Sequence, residues 1–270
     1  MKIPYLKMSG AGNDFVIFDA RKKPIILTNE QIKKICDRKI IGCDQLIILK
    51  SSTAANCLME IFNSDGSKAS ACGNATRCVA SILMNETKHR EVKIKTAAGI
   101  LKCWKSDNLI SVDMGIPTFD WKKIPLSHQT ASDKISLHGF DFTCANIGNP
   151  HAVTFIDRPL NDEIFFNVGP KVENDKIFPQ KTNVEFAQII SEDKINVRVW
   201  ERGSGETLAC GSGACAVGVL AIKNKLVAKN KITTQFKGGD LIIEWNGDGS
   251  AVIMTGDFKK TGDGTIDETF

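Results

Sequence analysis

A chain of 270 residues, 42% hydrophobic and 24% charged, has ordinary globular composition and length for one large or two ordinary domains. Its 35 basic and 31 acidic residues leave a formal net charge of +4, spread without a basic block or RNA-binding motif, so nucleic acid is not an expected partner. No stretch approaches a membrane span and the Met1-Lys2-Ile3-Pro4-Tyr5 start lacks a signal-peptide core, so the expectation is a cytoplasmic chain with no membrane partner. Nine cysteines, scattered without framework spacing, are expected as reduced thiols. With no C-x-x-C pair and with His89, His128, His138 and His151 lacking ligand spacing, no metal is expected.

In chain order, residues 3–8 read as a strand, Ser9-Gly10-Ala11-Gly12-Asn13-Asp14 as a turn, and Phe15 to Asp19 as a buried strand. Thr28-Asn29-Glu30-Gln31 has capping-box form ahead of Ile32, Ile35 and Cys36, which predicts a helix stopping by Gly42. Strands follow at Leu46–Leu49 and Cys57–Phe62. Ala75, Cys78, Val79, Ile82 and Leu83 recur with helical spacing, so a helix runs from just after Cys72 to near Asn85. Three strands (91–96, 100–104, 109–114) close the first half near Gly115-Ile116-Pro117. After a polar stretch from Trp121 to Ser136, strands are predicted at 142–147 and 152–156 around Gly148-Asn149-Pro150-His151. Two more occupy 183–190 and 194–200. Glu201 to Cys210 is then a glycine-broken loop feeding an uncharged helix from Ala214 to Ile222, and strands at 231–236, 241–245 and 251–255 follow.

The two halves share a grammar. Asn63 lies nine positions before Cys72 and Glu201 nine before Cys210, while Gln45 and Asn183 each lie 27 before. Asn13 precedes Cys72 by 59 and Asn149 precedes Cys210 by 61. This is a degenerate internal duplication. A lone cysteine is by default a small buried residue. Two at equivalent helix starts instead suggest paired thiols facing an interdomain cleft. At a helix N-terminus the dipole favours thiolate, so both are expected with lowered pKa values. Base and acid on opposite faces of a carbon invert it by proton transfer. The backbone N–H groups of Gly73, Asn74, Gly211 and Ser212 would meet the carboxylate charge that develops. No glycine-rich or lysine context marks a pyridoxal phosphate site, so no cofactor is expected.

Seven segments in order resemble the diaminopimelate epimerase family, nearly end to end. They are Gly12-Asn13-Asp14-Phe15, Asp44-Gln45, Asn63-x-Asp65-Gly66, Ala71-Cys72-Gly73-Asn74-x-x-Arg77-Cys78, Gly148-Asn149-Pro150-His151, Glu201-Arg202-Gly203-x-Gly205-Glu206-Thr207 and Ala209-Cys210-Gly211-Ser212-Gly213-Ala214. The resemblance implies an α+β fold of two pseudo-symmetric domains, each a mixed β-sheet rolled into a barrel around a central helix. The halves are expected at 1–118, joined by the tail 258–270, and at 119–257. It further implies a homodimer that interconverts LL- and meso-diaminopimelate, a small-molecule substrate, on the route to lysine and peptidoglycan precursors.

By the same resemblance Cys72 and Cys210 are the base and acid, and Asn13, Gln45, Asn63, Gly73, Asn74, Asn149, Asn183, Glu201, Arg202, Gly211 and Ser212 contact substrate. Arg202 suits a distal carboxylate and Glu201 an ammonium. His151 is either a satisfied structural residue or, as the family suggests, a tuning residue at the border of the site, a role the resemblance also gives Glu201. Cys43, two positions before Gln45, is a candidate third thiol near the site. Three rivals remain open: a proline or hydroxyproline racemase-type enzyme, against which Glu201-Arg202 argues, a relative of the phenazine-pathway isomerases, which lack paired thiols, and a redox switch built on the two cysteines.

Overall fold

Strand pairing repeats itself along the chain. The computed structural model describes residues 2–267, which separate into two units, Met1–Val112 with Thr255–Phe270, and Asp113–Met254. The final positions of the expected tail, 268–270, lie outside the described residues.

In the first unit the elements are β1 (Lys2–Gly10), β2 (Asn13–Asp19), α1 (Asn29–Cys36), β3 (Gln45–Lys50), β4 (Cys57–Asn63), β5 (Lys68–Ala69), α2 (Gly73–Thr87), β6 (Glu91–Thr96), β7 (Gly99–Ser106) and β8 (Leu109–Asp113). β1 and β2 pair antiparallel, β2 and β3 parallel across α1, and β3 and β4 antiparallel. β4 then takes β5 antiparallel and, across α2, β6 parallel. The second unit has β9 (Ile135–Leu137), β10 (Phe140–Asn146), β11 (Pro150–Ile156), α3 (Asp162–Glu173), β12 (Asn183–Ser191), β13 (Lys194–Glu201), β14 (Gly205–Glu206), α4 (Gly211–Lys223), β15 (Lys231–Phe236), β16 (Gly239–Glu244) and β17 (Ile253–Gly256). From β10 to β15 its pairing signs are the same series: antiparallel, parallel across α3, antiparallel, antiparallel, parallel across α4. β18 (Lys259–Asp267) pairs antiparallel with β1. The architecture is α+β, built from two copies of one mixed-sheet plan.

Each plan needs one helix that is buried on nearly every side. α2 packs on β1, β6 and β7, and α4 on β10, β11, β12, β15 and β16. Small residues make that possible for α4: a Cβ on Gly218 would stand 2.7 Å from Cγ2 of Ile243, a buried β-branched side chain. The partner helices are amphipathic and cover apolar clusters. α1 contributes Ile32, Ile35 and Cys36 to one with Phe18, Leu46 and Ile48. α3 contributes Phe165, Val168 and Val172 to another with Phe142 and Phe186.

Local signals explain most boundaries. The capping box forms as its sequence predicts, with the Gln31 N–H donating to Thr28 Oγ1 at 3.2 Å and the Thr28 N–H to Gln31 Oε1 at 2.9 Å. That helix stops at Cys36, six residues short of Gly42. Ala11 (φ 48°) and Gly12 (φ 81°) form a two-residue hairpin turn of the kind that needs two left-handed residues, closed by the pair Gly10 and Asn13. α3 is the helix that the sequence reading leaves unassigned, as it does the strands β5, β9, β14 and β18. Its start signal is present, since Asn161 Oδ1 accepts from the Ile164 N–H at 2.8 Å. Gly169 and Pro170 inside the helix weaken the helical pattern. No helix among the described residues is long and apolar enough to cross a membrane.

Candidate active site

Both central helices begin on a cysteine. Cys72 is the N-cap of α2 and Cys210 the N-cap of α4, each in extended backbone. The intrahelical ladder opens with Thr76 N–H to Cys72 O at 2.9 Å and Ala214 N–H to Cys210 O at 2.8 Å. Helix geometry therefore leaves the N–H groups of Gly73 and Asn74, and of Gly211 and Ser212, without ladder partners, an arrangement that binds anions.

Around Cys210 the surroundings are dry and acidic. The residue is 6% exposed, and its Sγ accepts the Gly213 N–H at 3.4 Å and lies 3.6 Å from Ser212 Oγ. Burial, followed by the charges of Glu201 and Glu185, pushes the thiol well above its ordinary pKa. The expectation of a lowered value is thus corrected for Cys210. The Ser212 hydroxyl and the helix-end Gly213 N–H do pull it down, but desolvation and two carboxylates outweigh these two hydrogen bonds. Glu201 ends β13, where Oε1 accepts from Thr207 Oγ1 at 2.5 Å. Its own carboxyl is raised by burial, against hydrogen bonds from Thr207 and Cys210 that lower it.

Beneath this turn lies a network whose buried carboxyl residue, Glu185, the sequence reading does not single out. Glu185 and His151 are both 0% exposed. Glu185 Oε1 lies 2.7 Å from His151 Nδ1, and His151 Nε2 lies 2.9 Å from Asn149 Oδ1. Asn183 faces His151 in the parallel β11/β12 register. Its amide donates to Pro150 O at 2.8 Å and accepts from the Arg202 N–H at 2.9 Å, so both ends are engaged inside the protein. Arg202 itself is exposed, with Nη1 donating to Gln180 O at 3.2 Å.

Around Cys72 the groups are amides and the residue is half-buried. Asn74, 1% exposed, donates to Asn13 Oδ1 at 2.5 Å, while its own Oδ1 is buried and has no hydrogen-bond partner in the structure. Gln45 and Asn63 are cross-strand partners whose side chains meet at 2.9 Å. Asn63 Nδ2 donates in turn to Ser67 Oγ at 3.0 Å. Arg38 bridges Asp14 at 2.5 Å and Asp44 at 2.6 Å, which pins the loops carrying Asn13 and Gln45. Burial raises the Asp14 carboxyl, but the Arg38 and Asp44 bonds together hold it below the ordinary range. Asp44 is raised by burial and by the Asp14 charge. Cys43 does not open onto this group. It is 2% exposed in the α1 cluster, with Sγ 3.4 Å from Cys36 Sγ.

The sequence-predicted residues thus fall into two sets: Asn13, Gln45, Asn63, Gly73 and Asn74 with Cys72, and Asn149, His151, Asn183, Glu201, Arg202, Gly211 and Ser212 with Cys210. The sequence reading omits Glu185, Thr207 and the Asp14–Arg38–Asp44 bridge. For Glu185 a signal exists, since a carboxylate between Val184 and Phe186 in a buried strand demands a partner.

A family profile described as diaminopimelate epimerase matches residues 5–119 and 143–261. A diaminopimelate epimerase of Rhodospirillum centenum is 43% identical over 272 residues, covering 98% of this chain and 92% of that protein. One from Acidiphilium cryptum is 44% identical over 269 residues, covering 98% and 96%. Among solved structures, a phenazine biosynthesis protein of the PhzF family from Bacillus anthracis superimposes with TM-score 0.69 at 16% identity, covering 98% of this chain and 99% of that one. A hydroxyproline epimerase from Agrobacterium vitis, solved with bound trans-4-hydroxy-L-proline, gives 0.68 at 14%, covering 98% and 92%. These two show a shared fold.

Proposed function

The chain belongs to the diaminopimelate epimerase family, and from that membership we propose that it is an isomerase interconverting LL- and meso-diaminopimelate by two-thiol proton transfer. In each direction one cysteine, as thiolate, removes the α-proton and becomes a thiol. The other, as thiol, protonates the opposite face of the same carbon and becomes a thiolate. No proton or electron is left over, and the roles exchange on reversal. Charge moving from the α-carbon onto its carboxylate would be met by the N–H groups of Gly73, Asn74, Gly211 and Ser212. The observation carrying this reading is the cysteine N-cap on both central helices, each ahead of small residues.

Asn13, Gln45, Asn63 and Asn149 would hold the amino-acid heads through their amides. Arg202 and Glu201 would pair the distal carboxylate and ammonium, with Asn183 supporting Arg202 through its backbone. Following the family resemblance, the enzyme would act without a cofactor, as a cytoplasmic homodimer, and its product would feed lysine and peptidoglycan precursor synthesis. The test is proton NMR of reduced protein with LL-diaminopimelate in D₂O. Loss of one α-proton signal with appearance of the meso isomer is expected. An untouched substrate beside exchanging proline would move the activity to the racemase rival, and inertness towards both would leave the thiols to a redox switch.

A further inference from the structure

Glu185 is a charged side chain buried in the middle of a sheet and placed directly under the catalytic turn. A Cβ built on Gly213 would lie 2.7 Å from its Oε1, so the carboxylate occupies the space that only a glycine at the third position of α4 leaves open. The same oxygen lies 2.7 Å from His151 Nδ1, and the far ring nitrogen reaches Asn149 at 2.9 Å. Oε2 is buried with no hydrogen-bond partner. A buried carboxyl with one oxygen left without a partner is unfavourable by desolvation, and packing alone does not require it. The first unit demonstrates this: 25 positions before its cysteine stands Ile47, fully buried, and the third helix position there is Ala75.

We propose that Glu185 is a positioning residue, which orients Asn149 through His151 and keeps Cys210 a neutral thiol until substrate arrives. The orientation follows from the chain of contacts. A carboxylate on Nδ1 fixes the ring, and the ring fixes Oδ1 of Asn149, turning its amide NH₂ away from His151. The effect on Cys210 follows from charge. Glu185 from β12 stands beside the cysteine, since a Cβ on Gly213 would lie 2.7 Å from its Oε1 and 3.3 Å from the Cys210 Cβ; Glu201 of β13, His151 of β11 behind Glu185, and the Ser212 hydroxyl and Gly213 N–H of α4 complete the surroundings. Two carboxylates against one imidazole and two weak donors disfavour a further anion. The assignment rests on the two-thiol reading for its catalytic meaning, though not for its electrostatics.

The test is the pH profile of iodoacetamide alkylation, read for each cysteine by peptide mass spectrometry, with epimerisation measured alongside on wild type and Glu185→Gln. In wild type the Cys210 midpoint is expected above the free-thiol value of about 8.5; a midpoint below it overturns the proposal even if the variant does not fold. Glu185→Gln is expected to lower that midpoint by about one pH unit, the usual effect of a nearby charge, to leave the Cys72 profile unchanged, and to raise KM several-fold. An unchanged Cys210 profile and KM in a folded variant would reduce Glu185 to packing. If the midpoint falls while wild type shows no epimerisation, the electrostatic role stands and the functional reading fails.

Discussion

The two units carry the same pairing plan and the same helix-capping cysteine, yet they support them with opposite chemistry. Under α4 lies a buried carboxylate–imidazole–amide chain, Glu185, His151 and Asn149, with Glu201 beside the thiol. Around α2 the corresponding positions carry Ile47, Phe15, Asn13 and Asn63, an ion-paired bridge of Arg38, Asp14 and Asp44 stands at the rim, and the charge buried in the helix itself is a cation, Arg77, whose Nε donates to Asp257 O at 3.0 Å. The duplication fixes where a thiol and its N–H donors stand. What surrounds each thiol is set elsewhere in the chain, and at Cys210 burial, with Glu201 and Glu185 brought beside it from neighbouring strands, favours the neutral form.

The largest effect should come from removing either thiol. Cys72→Ala and Cys210→Ala are each expected to abolish epimerisation, a loss of at least roughly a thousandfold by analogy with other essential acid–base groups. Circular dichroism should be unchanged. Full activity in either would break the equivalence of the two units. A smaller effect is expected from exchanging the third helix residue. Gly213→Ala drives a methyl against Glu185 Oε1, which His151 and burial prevent from moving away; overpacking of this sort costs about 1–3 kcal/mol. Ala75→Gly meets no such obstacle, and its cost of about 1–2 kcal/mol comes only from helix propensity and the loss of one buried methyl. Urea unfolding of the two variants measures the difference, and equal costs would mean that Glu185 yields readily.

Much of this was legible from the residues. The hairpin turn at Ala11-Gly12, the capping box at Thr28 and the paired cysteine loops each have a local cause, and local causes survive in sequence. Asn63 and Glu201 could be matched by offset because the duplication conserves spacing. What the sequence hid depends on distant contacts. The raised Cys210 thiol reflects first its burial and then the charges of Glu201 and Glu185 on two neighbouring strands, whereas the helix-end rule considers only the helix. The engagement of Asn183 with Pro150 and Arg202 is likewise a tertiary matter. So is the burial of Cys43 against Cys36, which its position beside Asp44 did not foretell. α3 escaped because Gly169 and Pro170 interrupt a pattern that the aromatic cluster around Phe165 stabilises anyway.

The smallest effect sharpens the contrast at the rim. Asp14 has a folded pKa below its unfolded one, so its contribution is present above the unfolded value and is lost as pH falls through the folded one. Asp14→Asn should therefore reduce stability near neutral pH and leave it unchanged in strong acid. Arg38 is more than half exposed, so solvent screening keeps the difference below about 1 kcal/mol. Urea midpoints of the two proteins, followed from pH 7 downward, test it: the gap should narrow as pH falls below the ordinary carboxyl value of 3.8, and a gap that does not narrow at any acid pH would show that the carboxylate acts by shape alone.

The central claim, one thiol for each face of a single α-carbon, is tested most directly by isotope analysis at low conversion in D₂O. LL-diaminopimelate is converted by a few per cent, and mass spectrometry reads deuterium separately in recovered substrate and meso product. Each thiol carries one exchangeable hydrogen, so two bases predict a product with one solvent deuteron and a recovered substrate still protonated. Deuterium entering substrate as fast as product, or a product that keeps the original proton, would mean that one base serves both faces, and the two-thiol account would fail.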